Sequence, residues 1–217
     1  MEKTAVSMKS YHEIRLPYDE RRDLLWKTLC ESYFQALIPE GACVLELGAG
    51  YCHFINHIRC ARRIALDLWE GMPQHAAQGV ETVIGSVIDL SGIAERSVDF
   101  VFASNLFEHL SQEEFAQTLA QLRNKLTPGG TLNLLQPNYR FAYREYFDDF
   151  SHRTVYTDGS LSDFLSCHGF RVIYCAPRFL PLTIKSALPV SPLLIRLYLR
   201  LPFKPLGKQM LIRAVAA

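Results

Sequence analysis

The sequence predicts an α/β protein built on a parallel sheet, and three observations carry that expectation. Val44-Leu45-Glu46-Leu47 is a short apolar run of the kind that forms a buried parallel strand; it breaks at Gly48 and Gly50 and resumes as a helix-like pattern. A second such run follows and carries Asp67 at its end, 17 residues after Gly50. Further apolar runs then alternate with helical patterns toward the end of the chain. A strand, a glycine turn and a helix place backbone N–H groups and a helix N-terminus at the C-terminal edge of a sheet, where open α/β sheets bind their ligands. Glycine is needed there because a Cβ would block the turn and hold a ligand off the backbone.

Taken in order, residues 1–18 read as a loosely ordered arm. A helix is expected over 19–37, with Asp19 as N-cap and an apolar stripe of Leu25, Leu29 and Phe34, flanked by Trp26 and Leu37. Such a helix either packs over a ligand site or only covers a sheet face. The first strand spans 43–47 and its helix 53–60. The second strand spans 63–68, with Asp67 near the spacing of an acid that binds the two hydroxyls of a ribose; a helix N-cap is the other reading. Residues 70–78 form a short helix or irregular segment. The third strand, 81–85, is followed by Ser86 and Asp89, and the fourth, 98–103, runs into Ser104-Asn105-Leu106-Phe107-Glu108-His109-Leu110. Ser111 and Glu114 form a capping box for a helix reaching residue 126, with Phe115, Leu119, Leu122 and Leu126 on one face. Thr127-Pro128-Gly129-Gly130 is a turn before a fifth strand at 131–136. Residues 139–157, rich in aromatics and charge, form a long connection of the kind that is often functional. A helix at 160–168, a sixth strand at 170–175 and a last strand at 209–215 complete the chain.

Composition narrows the classes. The 217 residues suit one domain with additions, and a formal charge of +1 gives no global basic excess for nucleic acid. The first ten residues are polar and mixed, unlike a signal peptide, and no apolar run reaches membrane-spanning length. The six cysteines contain no C-x-x-C pair and read as buried free thiols of a cytoplasmic protein. His53, His57 and Cys60 share a helix face at metal-like spacing, but no acid or fourth ligand completes them, so no metal is assigned.

In this order and spacing, Glu46-Leu47-Gly48-Ala49-Gly50, Asp67, Ser97-Val98-Asp99-Phe100-Val101, Glu108-His109-Leu110 and Leu126-Thr127-Pro128-Gly129-Gly130-Thr131-Leu132 make the chain resemble the class I S-adenosylmethionine-dependent methyltransferases. More narrowly, the stretch 105–110 and Tyr146-Phe147-Asp148-Asp149-Phe150-Ser151-His152-Arg153 resemble small bacterial methyltransferases of surface-glycan biosynthesis. The resemblance implies the Rossmann-like fold of that class: seven strands, mostly parallel with a last antiparallel strand, flanked by helices. Residues 1–38 would then be an N-terminal arm and helix, and 39–217 the methyltransferase domain. It implies S-adenosylmethionine as cofactor, with Glu46, Gly48 and Gly50 around its methionine part and Asp67 on the ribose. Leu68 or Trp69 would lie against the adenine, Ser86 at the adenine edge, and Asn105 beside the methionine moiety. Two positions depart from the family: Cys52 stands where a third glycine is common, and Ser86 where an acid is common.

The expected activity is O-methylation of a sugar, glycan or related small molecule. Removal of a hydroxyl proton calls for a base, and His109 and His152 are the candidates. An acid beside His152, Asp148 or Asp149, could orient it. Glu108, Tyr139, Tyr143 and Tyr146 are candidates for shaping the acceptor pocket. Between the last two strands, residues 177–208 form an apolar insertion with six basic residues and no acid, suited to a peripheral contact with an anionic membrane, a lid or a dimer contact. Two alternatives stay open: an NAD(P)-dependent oxidoreductase, which would want G-x-G-x-x-G where the chain reads Gly48-Ala49-Gly50-Tyr51-Cys52-His53, and a non-catalytic cofactor-binding partner protein.

Overall fold

The computed structural model describes residues 17–181 and 190–217. Inside its sheet, β1 (Cys43–Leu47) pairs in parallel with β2 (Arg62–Asp67) on one side and β4 (Val98–Ser104) on the other. β3 (Val80–Ile84) extends the sheet beyond β2, and β5 (Leu126–Pro137) beyond β4, again in parallel. β7 (Gln209–Ala216) lies antiparallel between β5 and β6 (Phe170–Leu180). The order β3-β2-β1-β4-β5-β7-β6 is therefore a seven-stranded sheet in which only β7 is reversed.

Both faces of the sheet are covered, which is why all five residues of β1 are buried and four of them are apolar. On one face Leu45 and Leu47 pack with Phe115, Leu119 and Leu122 of α3 (Gln112–Lys125) and Leu161 and Leu165 of α5 (Asp158–Cys167). On the other, Val44 packs with Leu29 of α1 (Glu20–Ser32) and with Phe54 of α2 (His53–His57), whose ring stacks on Phe102 at 3.9 Å. The caps act as expected: Asp19 accepts from the Arg21 N–H, and Ser111 and Glu114 close a capping box worth about 1 kcal/mol.

Several boundaries differ from expectation, each for a local reason. The first helix ends at Ser32 and its last turn is a 3₁₀ segment, Phe34–Leu37. The helix after β1 ends at His57, because Ile58 is already extended. The Thr127–Gly130 turn does not precede β5 but lies within it: Leu126 pairs with Val98, and pairing resumes at Phe100 and Thr131 after a shift of register. Gly129 at φ +84° supplies the kink. β6 runs on to Leu180, past an irregularity where Pro177 has no N–H to donate. The insertion thus leaves the sheet at Pro181. The expected long connection 139–157 contains a short helix, α4 (Tyr139–Ala142), and a 3₁₀ turn, Tyr146–Asp148. Of the cysteines, Cys30, Cys43 and Cys52 are buried, but Cys167 and Cys175 are exposed at the end of α5 and on β6. The expected arm, apart from residues 17 and 18, and residues 182–189 of the insertion lie outside the described residues.

Candidate active site

The parallel topology brings the C-terminal ends of β1 to β5 to one edge. There the glycine turn is stitched to β2: the N–H groups of Gly48 and Ala49 both donate to the Leu66 carbonyl. Gly48 and Gly50 adopt left-handed backbone, φ +66° and +50°. A Cβ on Gly48 would lie 2.9 Å from Leu106 Cδ1, so the loop after β4 closes directly over the turn.

Asp67 ends β2 as expected. Its two carboxylate oxygens accept from the N–H groups of Gly50 and Trp69, each at 2.8 Å. The carboxylate thus ties the glycine turn to the start of the next loop, and its remaining lone pairs lie at the edge where a ribose would be bound. Glu46 is fully buried, and its carboxylate accepts from the Ile55 N–H at 3.0 Å. Burial holds its pKa well above the usual carboxylate range; the Ile55 bond opposes this and the Asp67 charge adds to it. Glu46 therefore acts on the helix behind the turn.

Cys52, in the third-glycine position, is left-handed at φ +58° and completely buried. Its side chain belongs to the buried cluster on the α1–α2 side, with Sγ 3.9 Å from the Met72 carbonyl and 4.0 Å from that of Gly50 in the glycine turn. Leu68 is 54% exposed and presents an apolar surface beside Asp67. Trp69, the other adenine candidate, stacks on His75 at 5.3 Å and lies against Tyr51. A Cβ on Gly71 would be 2.5 Å from the Trp69 ring, which shows how closely the indole covers that residue. Ser86 follows β3 at the same edge and forms a local turn with Ile88. Asn105 is left-handed at φ +50°, and its Oδ1 accepts from Gln209 Nε2 at 2.7 Å. Gln209, the first residue of β7, carried no signal in the sequence, since only the antiparallel return of β7 brings it beside Asn105.

His109 and His152, 43 positions apart, are neighbours with ring centroids 4.8 Å apart. Backbone bonds draw their segments together: the N–H groups of Arg153 and Thr154 both donate to the Glu108 carbonyl, and Thr154 Oγ1 donates to that of Leu110. His109 Nδ1 lies 3.0 Å from Ser151 Oγ, and the Ser151 hydroxyl donates to Asp149. Asp149 therefore orients His109 through Ser151, whereas the sequence pointed to an acid acting on His152. His152 instead has its Nδ1 against the Tyr146 carbonyl. Burial and the nearby His152 push the His109 pKa down to about 4, against the pull of Asp149. Glu108 is completely buried, neither carboxyl oxygen has a hydrogen-bond partner among the described residues, and burial pushes its pKa up to about 8 against the pull of its own backbone N–H. Of the tyrosines, Tyr146 is buried and donates its hydroxyl to the Thr154 carbonyl, while Tyr143 is exposed.

The His53–His57–Cys60 face resolves as a polar contact. Asp23 bridges both rings, at 3.3 Å from His53 Nδ1 and 2.8 Å from His57 Nε2, and Cys60, beyond the helix, donates to the Arg62 carbonyl.

One sequence comparison covers the glycine turn, the acid at the end of β2 and the first five strands. The family profile described as "Methyltransferase domain" matches residues 45–134. That stretch runs from β1 to β5 and includes the glycine turn, Asp67 and the loop after β4. Solved structures agree with it in fold. A methyltransferase chain from the complex with the Haloferax volcanii Trm112 methyltransferase activator superposes with a TM-score of 0.71 at 17% identity, covering 99% of each chain. An S-adenosylmethionine-dependent methyltransferase from Archaeoglobus fulgidus gives 0.68 at 20% identity, covering 97% of this chain and 99% of its own. The Burkholderia thailandensis 1,6-didemethyltoxoflavin-N1-methyltransferase, solved with S-adenosylhomocysteine, gives 0.62 at 18% identity, covering 96% and 84%. No curated protein matches the chain.

Proposed function

We propose that this methyltransferase transfers the methyl group to a hydroxyl oxygen of a sugar, glycan or related small-molecule acceptor, with His109 and His152 serving the acceptor. The observation that carries this reading is the pairing of the two imidazoles beside Leu106, the residue that covers the glycine turn. S-adenosylmethionine supplies a methyl group on a sulfonium, so the protein's tasks are alignment, exclusion of water and removal of the acceptor proton. Gly48 and Gly50 would form the cradle for the methionine part, in a left-handed backbone that side chains rarely adopt, with Glu46 bracing the helix behind it. Asp67 would bind the ribose, Leu68 the adenine face, Ser86 its edge, and Asn105 the methionine moiety. Ser151 and Asp149 hold His109 in one orientation. The test is methyl transfer from labelled cofactor to a panel of free sugars, glycans and lipid-linked glycans, with wild type, His109→Ala and His152→Ala. Transfer to a hydroxyl that falls steeply in both variants, with S-adenosylhomocysteine binding unchanged, supports the reading; transfer only to nitrogen acceptors overturns it.

A second observation bears on where the acceptor is met. Among the described residues no helix is long and apolar enough to cross a membrane. α6 (Pro192–Arg200), in the insertion, packs Ile195, Tyr198 and Leu199 toward α1 and pairs Arg196 with Glu31, but leaves Leu193, Leu194 and Leu197 exposed. The basic residues are less available than the sequence implied: Arg178 lies over the Phe141 ring, Lys204 donates to helix carbonyls and Lys208 pairs with Glu145. The exposed leucines support a shallow contact with the membrane that would carry a lipid-linked acceptor. Flotation with anionic liposomes tests it: recovery with the vesicles that is lost in Leu193→Ser/Leu197→Ser supports the contact, and full recovery of wild type in the soluble fraction overturns it.

A further inference from the structure

The buried carboxyl of Glu108 has no hydrogen-bond partner, yet it lies in a cluster. One of its oxygens, a ring nitrogen of His109 and a ring nitrogen of His152 all lie within 4.8 Å of one another. A buried carboxyl left unsatisfied is rare in a folded protein and calls for a partner that the described residues do not supply. The hydrogen-bond network also assigns the tautomers of both rings. The Tyr146 carbonyl can only accept, so His152 Nδ1 carries the proton. The Ser151 hydroxyl donates to Asp149, so its oxygen accepts from His109 Nδ1. Both lone pairs are thereby placed on Nε2. An imidazole whose second nitrogen is held by a carbonyl or by a carboxylate relay is the usual setting of a metal-ligating histidine.

We propose that Glu108, His109 and His152 bind a divalent first-row transition ion. Two imidazoles and one carboxylate select such an ion over magnesium or calcium, which prefer all-oxygen surroundings. Three protein ligands leave at least one position open, the arrangement of catalytic rather than structural sites. The opening lies on the histidine side, since Glu108 is buried while both rings are partly exposed. The present spread is wider than the ligand separations of about 3 Å in a filled site, so binding draws the three groups together. The ion would add to the acceptor reading above, which it rests on for its role but not for its existence. An acceptor hydroxyl on the open position would be made more acidic by the ion and would pass its proton to solvent water, with the imidazoles then serving as ligands rather than as the base.

The experiment is metal uptake by the intact protein, stripped with chelator and titrated separately with cobalt(II), zinc(II) and magnesium(II), with S-adenosylhomocysteine binding measured on each sample. The expected result is one cobalt or zinc per chain, no comparable magnesium binding, and a cobalt absorption spectrum characteristic of nitrogen and oxygen ligands. Glu108→Gln, which is nearly isosteric, and His152→Asn, in a surface loop, should each weaken uptake by more than about 100-fold while S-adenosylhomocysteine still binds. No uptake by wild type that binds S-adenosylhomocysteine overturns the site, as does uptake that neither substitution alters, since the ion then lies elsewhere. Uptake with the expected ligand dependence but without transfer to any hydroxyl sustains the site and overturns the acceptor reading instead.

Discussion

Glu46 and Glu108 are both fully buried glutamates near the edge where the ligand site forms, one near the end of β1 and one just beyond β4. Burial raises the pKa of both. They differ in what meets the carboxyl. Glu46 accepts from the Ile55 N–H, so the chain itself completes it and it braces α2 behind the glycine turn. Glu108 has no side-chain hydrogen-bond partner among the described residues and lies against two histidines. The same side chain is thus scaffold in one place and a chemically incomplete group in the other. The difference lies in whether a donor from another element makes a full hydrogen bond to the carboxyl, as Ile55 does for Glu46, not in residue type or burial.

The largest effect should come from breaking the Glu46 region. Asp67→Ala removes the acceptor for two backbone N–H groups as well as the proposed ribose ligand. S-adenosylhomocysteine affinity should fall by about 100-fold or more by calorimetry, with a lower melting temperature. Next, the paired substitutions Glu46→Leu and Glu108→Leu should move stability in opposite senses. The first leaves the buried Ile55 N–H without an acceptor and should cost about 2–3 kcal/mol in denaturant unfolding. The second removes an unpaired buried carboxyl and should be neutral or stabilising by about 1 kcal/mol in metal-free protein.

A smaller effect sharpens the contrast through pH. Between its ordinary pKa of 4.5 and about 8, folded Glu108 keeps a proton that the unfolded chain has lost, so stability falls as pH rises. His109 works the other way between about 4 and 6.5, where the unfolded chain binds a proton that the folded one does not. The two slopes offset each other up to pH 6.5, and the Glu108 loss stands alone from 6.5 to 8, on the order of 2 kcal/mol. Chelator-treated wild type should therefore lose more stability than Glu108→Gln over that interval; equal losses would mean that Glu108 does not titrate there. The smallest effect expected is that of Ser151→Ala, which unhooks His109 from Asp149. It should weaken cobalt uptake about 10-fold and leave S-adenosylhomocysteine binding unchanged.

The glycine turn, Asp67 and the strand sequence were legible because they rest on local rules: apolar runs, left-handed glycines and fixed spacing. The capping box at Ser111 and Glu114 was legible for the same reason. Cys52 was misleading as a letter. It seemed to stand in place of a glycine that admits the cofactor, but its side chain turns into the core. The turn at 127–130 was recognised, but not that β5 absorbs it, because that depends on pairing with Val98 and Phe100. The relay from Asp149 through Ser151 to His109 was not legible, because adjacency in sequence says little about a loop that folds back on itself.

From its amino-acid order alone this chain specifies an α/β sheet with a glycine turn and an acid at its edge, since backbone sterics and hydrophobic periodicity act over a few residues. What only the folded chain settles is the meeting of distant groups. Gln209 reaches Asn105 because β7 runs antiparallel. His152 reaches His109 because residues 153 and 154 bond to the Glu108 carbonyl. Such contacts follow from chain topology and close packing, which no local pattern encodes.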